Sequence, residues 1–87
     1  MEYLKPEEIG ERVRTARLIL KMSLKELAEK TGINYETIHR IENGKKIINL
    51  DELIKIAKST KKPITYFIQE GNSVIEYFYP PAYREIK

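Results

Sequence analysis

The chain has 87 residues, 41% of them hydrophobic and 33% charged, which suits one compact soluble domain and argues against a disordered chain. Its formal net charge of +3 attracts polyanions only weakly and does not by itself identify nucleic acid as a partner. Cysteine is absent and no apolar stretch approaches the ~20 residues of a membrane span, so we expect a cytoplasmic protein without disulfides, thiol chemistry or membrane association.

The first predicted helix runs from about Pro6 to Lys21. Pro6 suits a first helical turn, and the basic Arg17 is favoured near the negative end of the helix dipole. Apolar residues recur here every three or four positions, which is the period of a helix with one buried face. The predicted inner face consists of Ile9, Val13, Ala16 and Leu20.

A second, shorter helix is predicted from about Leu24 to Lys30. Ser23 precedes it and Glu26 follows three residues later, which is the arrangement of a capping box. Gly32 is expected to end this helix, because the position after a helix commonly has a positive φ.

Asn34 is placed to cap a third helix, predicted from about Tyr35 to Asn43 and closed by Gly44. Its inward residues would be Ile38 and Ile41. A short turn that contains a glycine separates the second helix from the third, so the two are expected to cross steeply, as in a helix-turn-helix.

Two more helices and a change of composition complete the chain. The fourth helix is predicted over about Asp51 to Ser59, starting at Asn49 or Asp51, and the fifth over Ile64 to about Gln69 after Pro63. Their predicted inward residues are Leu53, Ile54, Ala57, Ile64, Phe67 and Ile68. Residues 73–79 are rich in β-branched and aromatic types and are predicted to form a strand that ends at Pro80-Pro81.

One pair of motifs carries a family resemblance. The segment Ser23-x-x-Glu26-Leu27-Ala28-x-x-x-Gly32-Ile33 is followed by Ile38-x-Arg40-Ile41-Glu42-Asn43-Gly44-Lys45. With these motifs, the chain from Ile9 to about Ile68 resembles the Cro/C1-type (XRE-like) helix-turn-helix transcriptional regulators. The resemblance implies an all-α, five-helix, lambda-repressor-like DNA-binding domain over residues 6–70, followed by a C-terminal aromatic extension, a short strand or arm, over residues 71–87.

The resemblance also implies which residues meet DNA. The third helix would enter the major groove, where each base pair presents a distinct pattern of donors and acceptors. Base contacts are implied for Tyr35, Glu36, His39 and Arg40. Phosphate contacts are implied for Ser23, Asn34, Thr37, Asn43, Lys45 and Lys46. Arg17 and Glu42 are implied to form a structural ion pair between the first and third helices.

Two positions depart from the family pattern. Leu24 stands where the family commonly has a glutamine that touches the DNA backbone, so the contacts at that end of the motif are expected to differ. Lys21 stands where the family usually has glycine, which is expected to change the linker more than the function.

Other features of the chain allow more than one interpretation. Glu36-x-x-His39-x-x-Glu42 places three metal-ligand types on neighbouring turns, but His39 is the single histidine, and we expect neither a metal site nor a cofactor. The apolar tail residues could form a dimer contact, pack on their own domain or bind another protein, and of these we slightly favour the dimer contact. These tail residues are Val74, Tyr77, Phe78, Tyr79 and Tyr83.

The sequence therefore favours a sequence-specific regulator that binds double-stranded DNA as a homodimer on a near-palindromic site, acting as a repressor by occupancy. The alternative is an antitoxin that autoregulates through the same fold while its tail binds a toxin. An enzyme is the least favoured interpretation, because neither a nucleophile motif nor a phosphate loop is recognisable in the sequence.

Overall fold

A computed structural model describes residues 5–69, and five α-helices make up its regular secondary structure. They are α1 Pro6–Ile19, α2 Leu24–Thr31, α3 Tyr35–Glu42, α4 Leu50–Thr60 and α5 Ile64–Ile68. The all-helical fold predicted from the sequence is confirmed. The strand predicted over residues 73–79, and the extension of which it is part, lie outside the described residues.

Three of the helices, α2, α3 and α4, begin at a short polar residue whose side chain accepts hydrogen bonds from the first backbone amides. Ser23 Oγ accepts a hydrogen bond from Glu26 N at 3.0 Å while the Glu26 carboxylate accepts from Ser23 N at 2.8 Å, so the capping box predicted for α2 is present. Asn49 and Glu52 form the same arrangement at the start of α4. Gly32 closes α2 with a φ of 74°, as expected for a left-handed helix end.

The core lies where α1 packs on α3, α4 and α5, and where α2 packs on α3 and α4. All of its apolar members are less than 8% exposed: Val13, Ala16, Met22, Leu27, Ile38, Ile41, Leu53, Ile56, Ala57 and Phe67. Two threonines are buried with them, and the hydroxyls of both donate to backbone carbonyls one turn back in their own helices, Thr31 to Leu27 and Thr60 to Ile56. Burial therefore leaves these hydroxyls satisfied.

Gly10 lies where α1 comes closest to α3. A Cβ atom at this position would lie 2.8 Å from the backbone oxygen of Glu42 and closer still to that of Ile41. Backbone atoms cannot rotate away as a flexible side chain can. The close contact of α1 and α3 therefore requires glycine at position 10.

Parts of the predicted inner faces were wrong. α1 ends at Ile19 rather than near Lys21, because Lys21 adopts a left-handed φ of 57°. Leu20 consequently falls at the helix end, where its side chain is 40% exposed instead of buried. The position where the family usually has glycine thus does adopt a glycine-like backbone, but with a lysine.

The last two helices show a similar difference. On α4 the fully buried isoleucine is Ile56, which the prediction left out, whereas Ile54 is only partly buried. On α5 the core takes Phe67 as predicted, but Ile68 is 43% exposed. No helix within residues 5–69 is long and apolar enough to cross a membrane.

Candidate nucleic-acid interface

Helix α3 is held on its inner side by two isoleucines and one buried ion pair. Ile38 and Ile41 are almost fully buried in the core. Arg17 of α1 donates from Nε and Nη2 to the two carboxylate oxygens of Glu42 at 2.8 and 2.9 Å, and from Nη1 to the backbone oxygen of Met22 at 2.9 Å. Arg17 and Glu42, the pair implied to be structural, are therefore joined in a bidentate contact that fixes α3 against α1.

The electrostatics of this pair favour the charged forms. The hydrogen bond to Glu42 raises the pKa of Arg17 above its ordinary value, and it outweighs burial, which acts in the opposite direction. The contribution of a raised pKa to stability is complete below the pKa of the unfolded arginine and is lost only above it. Arg17 therefore stays charged throughout the range near neutral pH, so deprotonation of the arginine does not break the pair there.

A second arginine of α1, Arg14, reaches the same end of α3. Its Nε lies 3.5 Å from the Glu42 carboxylate, and its Nη2 donates to the side-chain oxygen of Asn43 at 3.2 Å. The amide nitrogen of Asn43 in turn donates to the backbone oxygen of His39 at 2.8 Å. Both ends of the Asn43 amide are thus used inside the domain, where they fix the last turn of α3.

The four residues implied to contact bases lie together on the outer side of α3. Tyr35, Glu36, His39 and Arg40 are all exposed, and we call their four side chains the reader face. The rings of Tyr35 and His39 are stacked, with centroids 6.3 Å apart and planes 3° from parallel. Glu36, His39 and Arg40 line one shallow groove together with Asn43 and Lys45.

The reader face combines several recognition chemistries. The guanidinium of Arg40, an exposed donor that can bind guanine bidentately, lies 3.5 Å from the backbone oxygen of Lys45 at the end of the helix. Glu36 offers an acceptor that could take a hydrogen bond from cytosine, and the two stacked rings offer a flat apolar surface. A helix that carries donors, an acceptor and rings on one exposed side is suited to contact base edges in the major groove of DNA.

The residues implied to contact phosphate are placed differently from one another. Ser23 and Asn34 serve as N-caps, since the side-chain oxygen of Asn34 accepts from Glu36 N at 2.8 Å and from Thr37 N at 3.4 Å. Thr37 is partly buried and Lys45 is exposed. The ammonium of Lys46 lies 2.9 Å from the carboxylate of Glu52. To contact a phosphate, Lys46 would therefore have to share or leave this ion pair.

Sequence reasoning missed Arg14 and the Lys46–Glu52 pair. Arg14 precedes Arg17 by three residues, which places both on one side of α1, so helical spacing could have indicated it. Lys46 and Glu52 are joined across a loop and a helix start, and no spacing rule predicts such a contact. Leu24, which departs from the family pattern, packs partly buried against the core.

Two other sequence-based interpretations concern metal binding and the tail. Within residues 5–69 no three histidine, aspartate or glutamate side chains are grouped to hold a metal ion, and Glu42 of the Glu36-x-x-His39-x-x-Glu42 pattern is bonded to Arg17 instead. The predicted dimer or partner contacts at Val74, Tyr77, Phe78, Tyr79 and Tyr83 lie outside the described residues.

The fold and this surface define a helix-turn-helix domain, and comparison with known families agrees. The family model described as helix-turn-helix matches residues 13–67, more than half of the chain. The chain therefore belongs to the Cro/C1-type helix-turn-helix family, a class of DNA-binding transcriptional regulators and not a class of enzymes.

Individual relatives have similar descriptions. An uncharacterized transcriptional regulator in the ATPase CF(0) region of Rhodospirillum rubrum is 34% identical over 62 residues, which cover 71% of this chain and 57% of that protein. An uncharacterized HTH-type transcriptional regulator of Sinorhizobium medicae is 29% identical over 63 residues, which cover 72% of this chain and 45% of that protein. The chain thus spans about half the length of the curated relatives it matches.

Among solved structures, the restriction-modification controller protein C.AhdI from Aeromonas hydrophila is similar in fold. The TM-score is 0.69 at 21% sequence identity, and the match covers 71% of this chain and 94% of that chain. At this identity the likeness concerns the fold alone.

Proposed function

We propose that the protein is a sequence-specific transcriptional regulator that binds double-stranded DNA as a homodimer on a near-palindromic site and represses by occupying it. The observation that carries this proposal is the reader face, which is exposed as a unit on a helix whose opposite side is fixed by a buried ion pair. A helix held in this way meets base edges without first having to be ordered.

Recognition is divided between two groups of residues. Arg40 and Glu36 supply the hydrogen bonds that distinguish guanine and cytosine, and each good bidentate pair is worth about 1–3 kcal/mol against the wrong base. Lys45 and the residues around the helix ends supply the contacts that position the domain on the phosphates without specifying sequence.

Selection of bound sites from random double-stranded DNA, at one stated salt concentration, tests the proposal. We expect enrichment of a motif with two-fold symmetry whose half-sites lie about 34–36 Å, or one helical turn, apart. Salt must be constant because phosphate contacts make every affinity salt-dependent. Failure to enrich any motif would overturn the proposed function.

A single substitution tests the assignment of the reader face. Arg40→Ala is expected to weaken binding to the selected site about 10- to 100-fold and to relax the preference at one base pair, because it removes a base contact. Lys58→Ala removes the same charge from an exposed position on α4 and serves as the matched control. If both variants lose affinity equally and keep the same sequence preference, α3 does not read bases through Arg40.

The antitoxin hypothesis stays a prediction, because the residues on which it depends lie within 71–87.

A further inference from the structure

The two most exposed large apolar side chains within residues 5–69 are close together in sequence. Ile47 is 72% exposed and Leu50 is 67% exposed. Ile47 lies in the loop after α3, and Leu50 is the first residue of α4. We call these two side chains the Ile47–Leu50 surface.

The loop that carries this surface is fixed on its inner side. Ile48, between the two exposed residues, packs partly buried against the core. The ammonium of Lys46 donates to the backbone oxygen of Ile47 at 3.1 Å and to the carboxylate of Glu52 at 2.9 Å, and that carboxylate also accepts from Asn49 N at 3.0 Å. The apolar side chains of Ile47 and Leu50 are therefore held outward by a bonded loop, which lowers the ordering cost of a contact made there.

The charges around the surface are balanced. Lys46 pairs with Glu52, and Lys55 pairs with Asp51 at 3.0 Å on the exposed side of α4. The Asp51 side chain is 75% exposed, and an exposed carboxylate repels phosphate. An apolar centre with a rim of equal positive and negative charge suits a protein surface of the same composition and disfavours DNA.

We infer that the Ile47–Leu50 surface is the centre of the homodimer interface. A two-fold axis through it brings the same apolar residues together and lets the acidic and basic rim residues of one copy face those of the other. Because a stable interface needs about 800 Å² from each partner, the two side chains form its apolar centre and their neighbours form its rim. The inference rests on the proposed function, which requires a homodimer.

The position of the surface is compatible with DNA binding by both copies. Ile47 lies five positions after Glu42, the last residue of α3, so the chain between them spans at most about 17 Å. Contact between the two Ile47 side chains would thus allow the ends of the two α3 helices to lie about one helical turn of DNA apart, the 34–36 Å of paired half-sites. Both reader faces would then be able to occupy one site.

Sedimentation of the full chain in the absence of DNA tests this inference. We expect the wild type to form a dimer, and we expect Ile47→Glu and Leu50→Glu each to weaken self-association at least tenfold, because each places a charge in the apolar centre. Leu18→Glu is the matched control, since Leu18 is 54% exposed on α1 and lies outside the surface. Circular dichroism checks that all three variants keep the helical content of the wild type.

The outcomes separate the interface from the function. If Ile47→Glu and Leu50→Glu remain as dimeric as the wild type, or if only Leu18→Glu dissociates, the inferred interface is wrong, whatever the protein does with DNA. If the two variants become monomers that still bind a single half-site with the preference of the wild type, the inference is supported. If the wild type dimerises through this surface but selects no DNA motif, the proposed function fails while the interface stands.

Discussion

The inner and outer sides of α3 differ in which property of the protein a substitution is expected to weaken. The inner side meets α1 through Gly10, Arg17 and the buried Glu42, where backbones are in close contact and the buried charges are paired. The outer side carries the reader face, whose side chains are exposed. Changes on the inner side should therefore cost folding free energy, whereas changes on the outer side should cost DNA affinity.

The largest expected effect is on the inner side, at Glu42. Glu42→Ala leaves Arg17 buried without its partner, and breaking a buried pair typically costs about 3–5 kcal/mol of the free energy of unfolding. Denaturant unfolding followed by circular dichroism measures this cost. Glu36→Ala, on the exposed side of the same helix, should cost less than about 1 kcal/mol, as expected for one exposed carboxylate near a helix start. Equal costs at the two positions would remove the distinction between the sides.

A smaller loss of stability is expected from Gly10→Ala. The added methyl group meets the backbone of α3, and overpacking of this kind typically costs about 1–3 kcal/mol. Thr15→Ala, at an exposed position of the same helix, should be neutral or slightly stabilising, because alanine is the better helix former. Thermal unfolding of the two variants compares them directly, and a Gly10→Ala protein as stable as the wild type would show that α1 and α3 separate easily.

The smallest expected effect distinguishes two neighbouring lysines beside the reader face. Lys45→Ala should reduce the dependence of log affinity on log salt by about 0.9, the value for one phosphate contact. Lys46→Ala should reduce it less, because Glu52 already neutralises the Lys46 ammonium. DNA binding measured at several salt concentrations checks both variants, and equal reductions would mean that Lys46 leaves Glu52 on binding.

Local signals were enough to predict the order of the helices. Ser23 with Glu26, Asn34 and Gly32 mark starts and ends through the hydrogen bonds they make, and those bonds involve residues only a few positions apart. Periodicity likewise predicted the buried residues of α3. On α4, however, the prediction of Ile54 did not follow this period, because the buried residues Leu53, Ile56 and Ala57 have the three- and four-residue spacing of one helix face.

The site could be predicted only in part. The family motif indicates which residues of α3 point outward, but it does not indicate how the surrounding side chains pair. Arg14 with Asn43, and Lys46 with Glu52, meet only once the chain has folded. These contacts show which side chains are already engaged inside the domain, information that a one-dimensional motif does not contain.

One side-chain contact fixes the end of α5 against α1. Arg12 of α1 donates from Nη1 to the backbone oxygens of Tyr66 and Gln69, and so ties the end of α5 to the helix that also holds α3 through Arg17. The end of α5 and the reader face on α3 are therefore connected through α1. A displacement of the end of α5 would therefore be transmitted through α1 to the helix that carries the reader face.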